Sequence, residues 1–480
     1  MNDSGPLFPM RSIRKVLRLG HRGVGTPGNG YHGYMTETKP SPWRAPFAAE
    51  PLNATVTIPG SKSLSNRYLI LAAMGTRPVT LVGLLRSRDT ELMMGALESL
   101  GVSCTPDPDD GTTVVVAPPK NGVFTGRSSV FCGLAGTVMR FVPALALYAD
   151  GPVRFDGDEQ AYHRPMGPIL DGLEQLGARI DYEGEKGRLP FTLTPPSRAV
   201  GGDVSIDSSS SSQFISGLLL AAPKLENGLK LTHTGDHLPS LPHIRMTMAD
   251  LEAAGVAVRM DAHTWTVRHG SVQLPERVAV EPDLSNAAPF LGAALIAGGT
   301  VRVPNWPART TQPGGLLPEY LERMGATVTV TETVDGARTL AVTSDGTIHG
   351  LGDFDMSAAG EIAPSLAALL VFADGPTSLT GIGHLRGHET NRLEALVTEI
   401  RRIGGAAEEL ADGIAIHPVD VERMHGAVME TYADHRMATF AAMLGLRIDG
   451  IDVVNVETTR KTIPDFVGLW TSMIGVARHR

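Results

Sequence analysis

One pattern recurs along the chain and limits what it can fold into. An amphipathic stretch closes on an apolar turn, then glycine, then a β-branched run. Leu97–Val102, Leu173–Ala178, Leu251–Val256, Leu321–Ala326 and Glu399–Gly404 carry it, and their glycines (Gly101, Gly177, Gly255, Gly325, Gly404) step by 76, 78, 70 and 79. Glycine lacks the Cβ that makes the left-handed conformation costly, so it is the residue that best closes a helix there. The pattern therefore predicts five helix ends followed by strands such as Thr112–Val116 and Val328–Val330. A period near 75 is too long for a solenoid unit. Each copy reads as a small α/β subdomain, with room for a sixth after Val421.

No Pro/Ser-rich linker divides the chain. The best boundaries are Gly60 and Glu281-Pro282-Asp283. A boundary at both makes the N-terminal strand pack with the C-terminal half, giving residues 41–60 plus 281–480 as one lobe and 61–280 as the other. A cleft between two such lobes is a usual place for a ligand. Residues 1–40 stand apart: Gly-rich from Gly20 to Tyr34, with six basic residues, no apolar periodicity and no secretory h-region. They are expected to be a disordered tail or a start assigned too early, with Met35 as the alternative start. Deleting residues 1–34 is expected to leave activity unchanged.

The 480 residues carry a net charge of −9, a poor basis for binding nucleic acid. The longest apolar runs, near Pro364–Ala373 and Phe290–Ala297, are too short to span a bilayer. Two cysteines, Cys104 and Cys132, exclude a disulfide framework or Cys-rich zinc module and fit a cytoplasmic protein.

Several polar clusters sit before apolar helices. Pro59-Gly60-Ser61-Lys62-Ser63-Leu64-Ser65-Asn66-Arg67 sets hydroxyls and two cations at a helix N-terminus, where free N–H groups and the helix dipole favour anions. It lacks the Walker A spacing. Cys132–Arg140 is a second glycine turn into a helix, suited to close ligand approach or to tight packing. The serines 208–212 before Gln213 would suit a linker, but the strand-like Val204–Ile206 ahead of them favours a third helix N-terminus. His163-Arg164-Pro165 is expected to open a fourth helix, its Arg suited to phosphate or carboxylate. The C-terminal half offers His388–Arg392, Tyr432–Met437 and Thr459–Thr462, and acids at helix starts, Asp283 and Glu361. His384, His388 and Glu389 only loosely resemble a metal motif, and no metal is expected.

Taken in order, Gly-Ser-Lys-Ser-x-Ser-Asn-Arg, Ala-Gly-Thr-x-Met-Arg, Ser-Ser-Gln-Phe, Glu-Thr-x-Arg-Leu, Asp-His-Arg-Met-Ala and Lys-Thr-x-Pro-Asp-Phe resemble the 5-enolpyruvylshikimate-3-phosphate synthases of the enolpyruvyl transferase family, over about Val56 to Trp470. The resemblance implies a two-lobed α/β enolpyruvyl transferase fold of six βαβαββ units, three per lobe. It implies transfer of the enolpyruvyl group of phosphoenolpyruvate to the 5-hydroxyl of shikimate 3-phosphate, through a tetrahedral intermediate that loses phosphate. The partners are those two small molecules. No cofactor, nucleic acid or membrane is implied, and the family is usually monomeric.

The resemblance assigns Lys62 to both ligands. It assigns Ser63, Arg67, Ser211, Ser212, Gln213, Ser240, Glu361 and His388 to shikimate 3-phosphate. Gly136, Arg164, Gln213, Arg392, Arg436 and Lys461 fall to phosphoenolpyruvate. Lys62, Glu361, Glu389 and His435 become the catalytic set, Glu389 moving a proton near the reacting carbon and His435 orienting its neighbours. The chain departs from the family pattern at Leu134 (usually Asn), Phe141 (Pro), His243 (a shikimate-contacting Tyr), His384 (Asn), His388 (Lys) and Glu361 (Asp). A His is only partly charged at neutral pH, so His388 is expected to bring less fixed charge than Lys. Two alternatives remain: a UDP-N-acetylglucosamine enolpyruvyl transferase, which typically uses a loop Cys absent from Asp158–His163, and a catalytically idle ligand-binding paralogue.

Overall fold

A computed structural model describes residues 41–334 and 336–475, and these fall in one compact unit. The expected N-terminal tail lies outside the described residues.

Twelve α-helices order the described chain: α1 (Lys62–Met74), α2 (Arg88–Ser99), α3 (Gly136–Leu145), α4 (Gly167–Gln175), α5 (Gln213–Ala221), α6 (Leu241–Ala253), α7 (Leu284–Ala297), α8 (Leu317–Arg323), α9 (Ala363–Leu370), α10 (Arg392–Arg402), α11 (His435–Gly445) and α12 (Phe466–Ile474). They alternate in character. Odd-numbered helices are apolar nearly all round: every residue of α7, α9 and α11 but the terminal Ala297 is buried. Such helices belong inside a core. Even-numbered helices show one buried face, as in α10, where charged Glu394, Arg401 and Arg402 stay outside.

The five repeat glycines stand two residues past the ends of α2, α4, α6, α8 and α10, at φ of +86°, +93°, +80°, +101° and +86°. A sixth, Gly475, closes α12 at φ +80°, 71 residues after Gly404.

Each inner and outer helix pair serves one small sheet. Five sheets have four strands in a single pattern, a parallel pair extended by an antiparallel hairpin. Gly202–Ile206 pairs parallel with Leu229–His233, which pairs antiparallel with Thr264–Val267 and through it with Val258–Asp261. Two sheets borrow their first strand from afar. Leu52–Thr55 pairs with Gly299–Pro304, and Arg277–Ala279 pairs with Val79–Val82. The sixth sheet has three strands. Val428–Met429 and Asp452–Val453 run parallel, and Trp43–Arg44 supplies the antiparallel member.

Two hydrophobic cores result, one drawn from Leu64 to Val280, the other from Ala45–Ile58 together with Leu284–Met473. The chain passes between them twice, side by side. Gly60 bridges Pro282, Ser61 N–H donates to Glu281 C=O (2.8 Å) and Asp283 N–H to Pro59 C=O (2.9 Å). No described helix is long and apolar enough to cross a membrane.

Candidate active site

Burying a helix all round leaves its N-terminal N–H groups to be satisfied by whatever lies at that end. The six inner helices solve this in two ways. Ser61 caps α1 by accepting from Leu64 N–H (3.4 Å), and Ala135 and Ser212 precede α3 and α5. None of these three has an acid in its first turn. In the other half, acids stand at each start. Asp283 caps α7, Glu361 lies in the 3-10 turn Gly360–Ile362 before α9, and Asp434 caps α11. Asp283 Oδ2 also accepts from Lys62 N–H at the start of α1 (3.4 Å), so of the six only α3 and α5 have neither an acidic cap nor an acid in the first turn, whereas the other half neutralises its own helix dipoles and holds cations beside them.

Around Gly136 the free end is strongly positive. A Cβ at this position would lie 2.8 Å from Arg140 Nη1, 3.1 Å from Gln213 Oε1 and 3.2 Å from Arg164 Nη2. Three polar side chains from α3, α5 and the turn before α4 therefore converge on one glycine. Burial and the charge of Arg164 bring Arg140 down to about 9. Its guanidinium packs 5.5 Å over Phe214 and has only weak acceptors: Gly136 C=O (3.4 Å), Gln213 Oε1 (3.3 Å) and Pro165 C=O (3.3 Å). Arg140 carries no sequence signal of a site residue, because an Arg inside Gly136–Leu145 reads as one polar interruption of an apolar helix. Arg164 is not at a helix start as expected. It ends the 3-10 turn Glu159–His163, with α4 beginning at Gly167, and its Nη1 donates back to Leu134 C=O (2.9 Å).

Beside this cluster, Lys62 Nζ lies 3.6 Å from Asp89. Arg67 is 2% exposed, donating to Thr247 Oγ1 (2.8 Å), Ser63 C=O (3.0 Å) and His243 C=O (3.0 Å), and Phe141 packs against it at 5.5 Å. Burial lowers Arg67 to about 10, although Asp250 (Nε to Oδ2 4.0 Å) opposes the shift. The serine run is a strand-to-helix turn, with Ser208 Oγ donating to Ser211 C=O and Ser211 Oγ accepting from Gln213 N–H. Ser240, just before α6, holds the left-handed conformation at φ +53°. Its side chain makes no cap bond.

Across from these groups sits a tighter network. Arg392 donates twice to Asp434 (2.7 and 3.2 Å), once to Glu389 (3.0 Å) and once to His388 Nδ1 (3.2 Å). Lys461 pairs with the other oxygen of Glu389. Burial would raise Glu389, but Lys461 and Arg392 overcome it and hold the carboxyl well below its usual range. Glu361 behaves alike: burial raises it, while His243 and Arg436 bring it well below. Arg436 donates to Ser285 C=O (2.8 Å) and Asn286 Oδ1 (3.2 Å), and its Nη2 is 3.6 Å from Glu361. His435 is pushed far down by burial and by Arg436, so it is neutral. Two left-handed residues, Tyr432 and Ala433, bring the chain to Asp434.

His388 corrects an expectation. Burial and Arg392 take it to about 4, and Nδ1 accepts from a guanidinium that can only donate. The ring is therefore uncharged, not partly charged, at neutral pH. Glu389, Asp434 and His435 bring ligand atoms within 4.8 Å of one another, but Arg392 and Lys461 already occupy both carboxylates, so the trio suits no metal.

The comparisons with known proteins agree with one another. Residues 47–470 match the family model of EPSP synthase (3-phosphoshikimate 1-carboxyvinyltransferase). A 3-phosphoshikimate 1-carboxyvinyltransferase of Bifidobacterium longum is 71% identical over 92% of this chain and all of its own. One from Kocuria rhizophila is 48% identical over 90% of this chain and 96% of its own. The solved EPSP synthase of Acinetobacter baumannii superposes with a TM-score of 0.76 at 26% identity, over 90% of this chain and 97% of that one.

Proposed function

From membership of the EPSP synthase family, to which this chain belongs, we infer that it transfers the enolpyruvyl group of phosphoenolpyruvate to the 5-hydroxyl of shikimate 3-phosphate and releases phosphate. Aromatic biosynthesis consumes such a product. One observation carries the site assignment: the N-termini of α3 and α5, which no acid caps, lie with Arg67, Arg140 and Arg164 opposite two ionised carboxylates, Glu361 and Glu389, held by Arg392, Arg436 and Lys461. Two phosphates and two carboxylates need such cations, and the chemistry needs separate proton carriers.

In this reading shikimate 3-phosphate takes Ser63, Arg67, Ser211, Ser212, Gln213 and Ser240, with Glu361 on its hydroxyl and the Nε2–H of His388 beside it. Phosphoenolpyruvate takes Gly136, Arg140, Arg164, Arg392, Arg436 and Lys461, and Lys62 reaches both. The 5-oxygen bonds to C2 while C3 gains a proton. A hydroxyl oxygen forming that bond becomes strongly acidic, so even the low-pKa Glu361 can receive its proton. Elimination then takes a proton from C3, breaks the C2–O bond to phosphate, which leaves with the proton that Glu361 had received, and restores the double bond. Glu389 is the C3 proton carrier. Substrate anions that draw Lys461 and Arg392 away remove what holds its carboxyl low, which lets it bind a proton. The substrates sit where residues 61–280 meet residues 41–60 and 281–480, read as two lobes that close over them. Both ligands are small soluble molecules, which suits a monomer acting in the cytoplasm.

The test is phosphate release from phosphoenolpyruvate with shikimate 3-phosphate, and with UDP-N-acetylglucosamine in parallel. Release with shikimate 3-phosphate alone is expected. Release only with the nucleotide sugar, or with neither, refutes the reading.

A further inference from the structure

Glu361 is reached from the other half of the protein. His243 Nε2 lies 3.0 Å from Glu361 Oε1, although the two residues are 118 apart in sequence and belong to different hydrophobic halves. An ionised carboxylate only accepts, so Nε2 is the donor. The imidazole is itself anchored. His243 is the third residue of α6, just past left-handed Ser240, and its C=O receives Arg67 Nη2 (3.0 Å) and Thr247 Oγ1 (3.1 Å). The second oxygen, Glu361 Oε2, faces Arg436 Nη2 at 3.6 Å. The carboxylate is thus pinned at one oxygen from each half.

We propose that His243 is a positioning residue for Glu361, so that this carboxylate is correctly aimed only while the two halves are together. The proposal rests on the reading that Glu361 holds the attacking hydroxyl. Other groups around Glu361 do not replace the imidazole. Asp283, capping α7, is a like charge. Arg67 is committed to Thr247, Ser63 and His243. His384 interacts with Glu361 electrostatically with no hydrogen bond between them, and His388 is uncharged with Nδ1 taken by Arg392. Without His243 the carboxylate keeps Arg436 on one oxygen and can turn about it, so binding survives while alignment of the hydroxyl is lost. Misplacing a reacting group costs rate rather than affinity.

Phosphate release and calorimetric binding of shikimate 3-phosphate, measured on wild type, His243→Phe and His243→Gln, test this. Gln carries an amide nitrogen as many bonds from Cα as the imidazole Nε2. His243→Phe is expected to lower kcat at least tenfold with the dissociation constant of shikimate 3-phosphate within threefold of wild type, and His243→Gln to recover kcat to within about threefold. A His243→Phe loss that falls on binding with kcat intact overturns the proposal, as does a folded His243→Gln no better than Phe. A wild type that binds shikimate 3-phosphate but turns over neither acceptor overturns the proposed function itself, and the positioning role with it.

Discussion

Gly136→Ala isolates the anion subsite from the rest of the protein. Gly136 is the first residue of α3 and has no positive φ, so alanine fits its backbone and, as the better helix former, does not weaken the helix. What changes is space. The new methyl would sit 2.8 Å from Arg140 Nη1, 3.1 Å from Gln213 Oε1 and 3.2 Å from Arg164 Nη2. The first separation is too short to persist. Arg140 cannot simply swing away, because it packs over Phe214 and touches Gln213 and Pro165 C=O. The guanidinium must shift by some tenths of an ångström, and the methyl also occupies the approach to the helix N-terminus. A hydrogen bond from a charged donor contributes about 1.5–3 kcal/mol. Forfeiting roughly half of one gives ~1.4 kcal/mol, or about tenfold.

The expected result is a KM for phosphoenolpyruvate raised about tenfold, a KM for shikimate 3-phosphate within twofold of wild type, and an unchanged or higher Tm. The assay is phosphate release with each substrate varied in turn, beside a thermal melt. A KM for phosphoenolpyruvate within twofold of wild type would refute the reasoning, since no anion could then lie against Gly136. A rise confined to shikimate 3-phosphate would move the subsite.

Lys62→Ala should cut kcat/KM by on the order of a hundredfold, about 3 kcal/mol of transition-state stabilisation, and a loss under tenfold in steady-state turnover would remove its assigned role. Asp250 is raised to about 7, chiefly by burial, so its folded value exceeds the ordinary carboxylate value of ~3.9. Stability is then fully present below pH ~4 and is lost as pH rises to about 7; the Tm of Asp250→Asn relative to wild type should climb across that window and then level off, and a flat difference would show that Asp250 is ionised without cost. Gly255→Ala meets nothing within 4 Å but must hold φ +80°, so it should cost about 1–2 kcal/mol in denaturant unfolding with kcat unaltered. An unchanged midpoint would show that the turn relaxes.

The repeat was legible because a left-handed residue leaves a glycine in the sequence, and Gly101, Gly177, Gly255, Gly325 and Gly404 all adopt that conformation. Gly475 is the least legible of the set, because the antiparallel strand of its sheet is Trp43–Arg44, over 400 residues away in sequence. The same division runs through the candidate site. Lys62, Gly136, Gln213, Glu361 and His435 stood out because each lies at or beside the start of a buried helix, where a polar residue interrupts apolar sequence and has to answer for free N–H groups. Arg140 lies one turn inside such a helix, where only the convergence of Arg164 and Gln213 on Gly136 distinguishes it from a snorkelling side chain. The charge of His388 depends on Arg392, four residues ahead and in plain sight, yet one turn of sequence says nothing about burial, and burial is the larger cause. The His243–Glu361 contact leaves no trace in local pattern at all, since neither residue's own helix needs it. What sequence exposes is the residue that a local conformation demands. What it conceals is the pairing made when two separately built halves face each other, and the His243 contact that holds Glu361 belongs to the second kind.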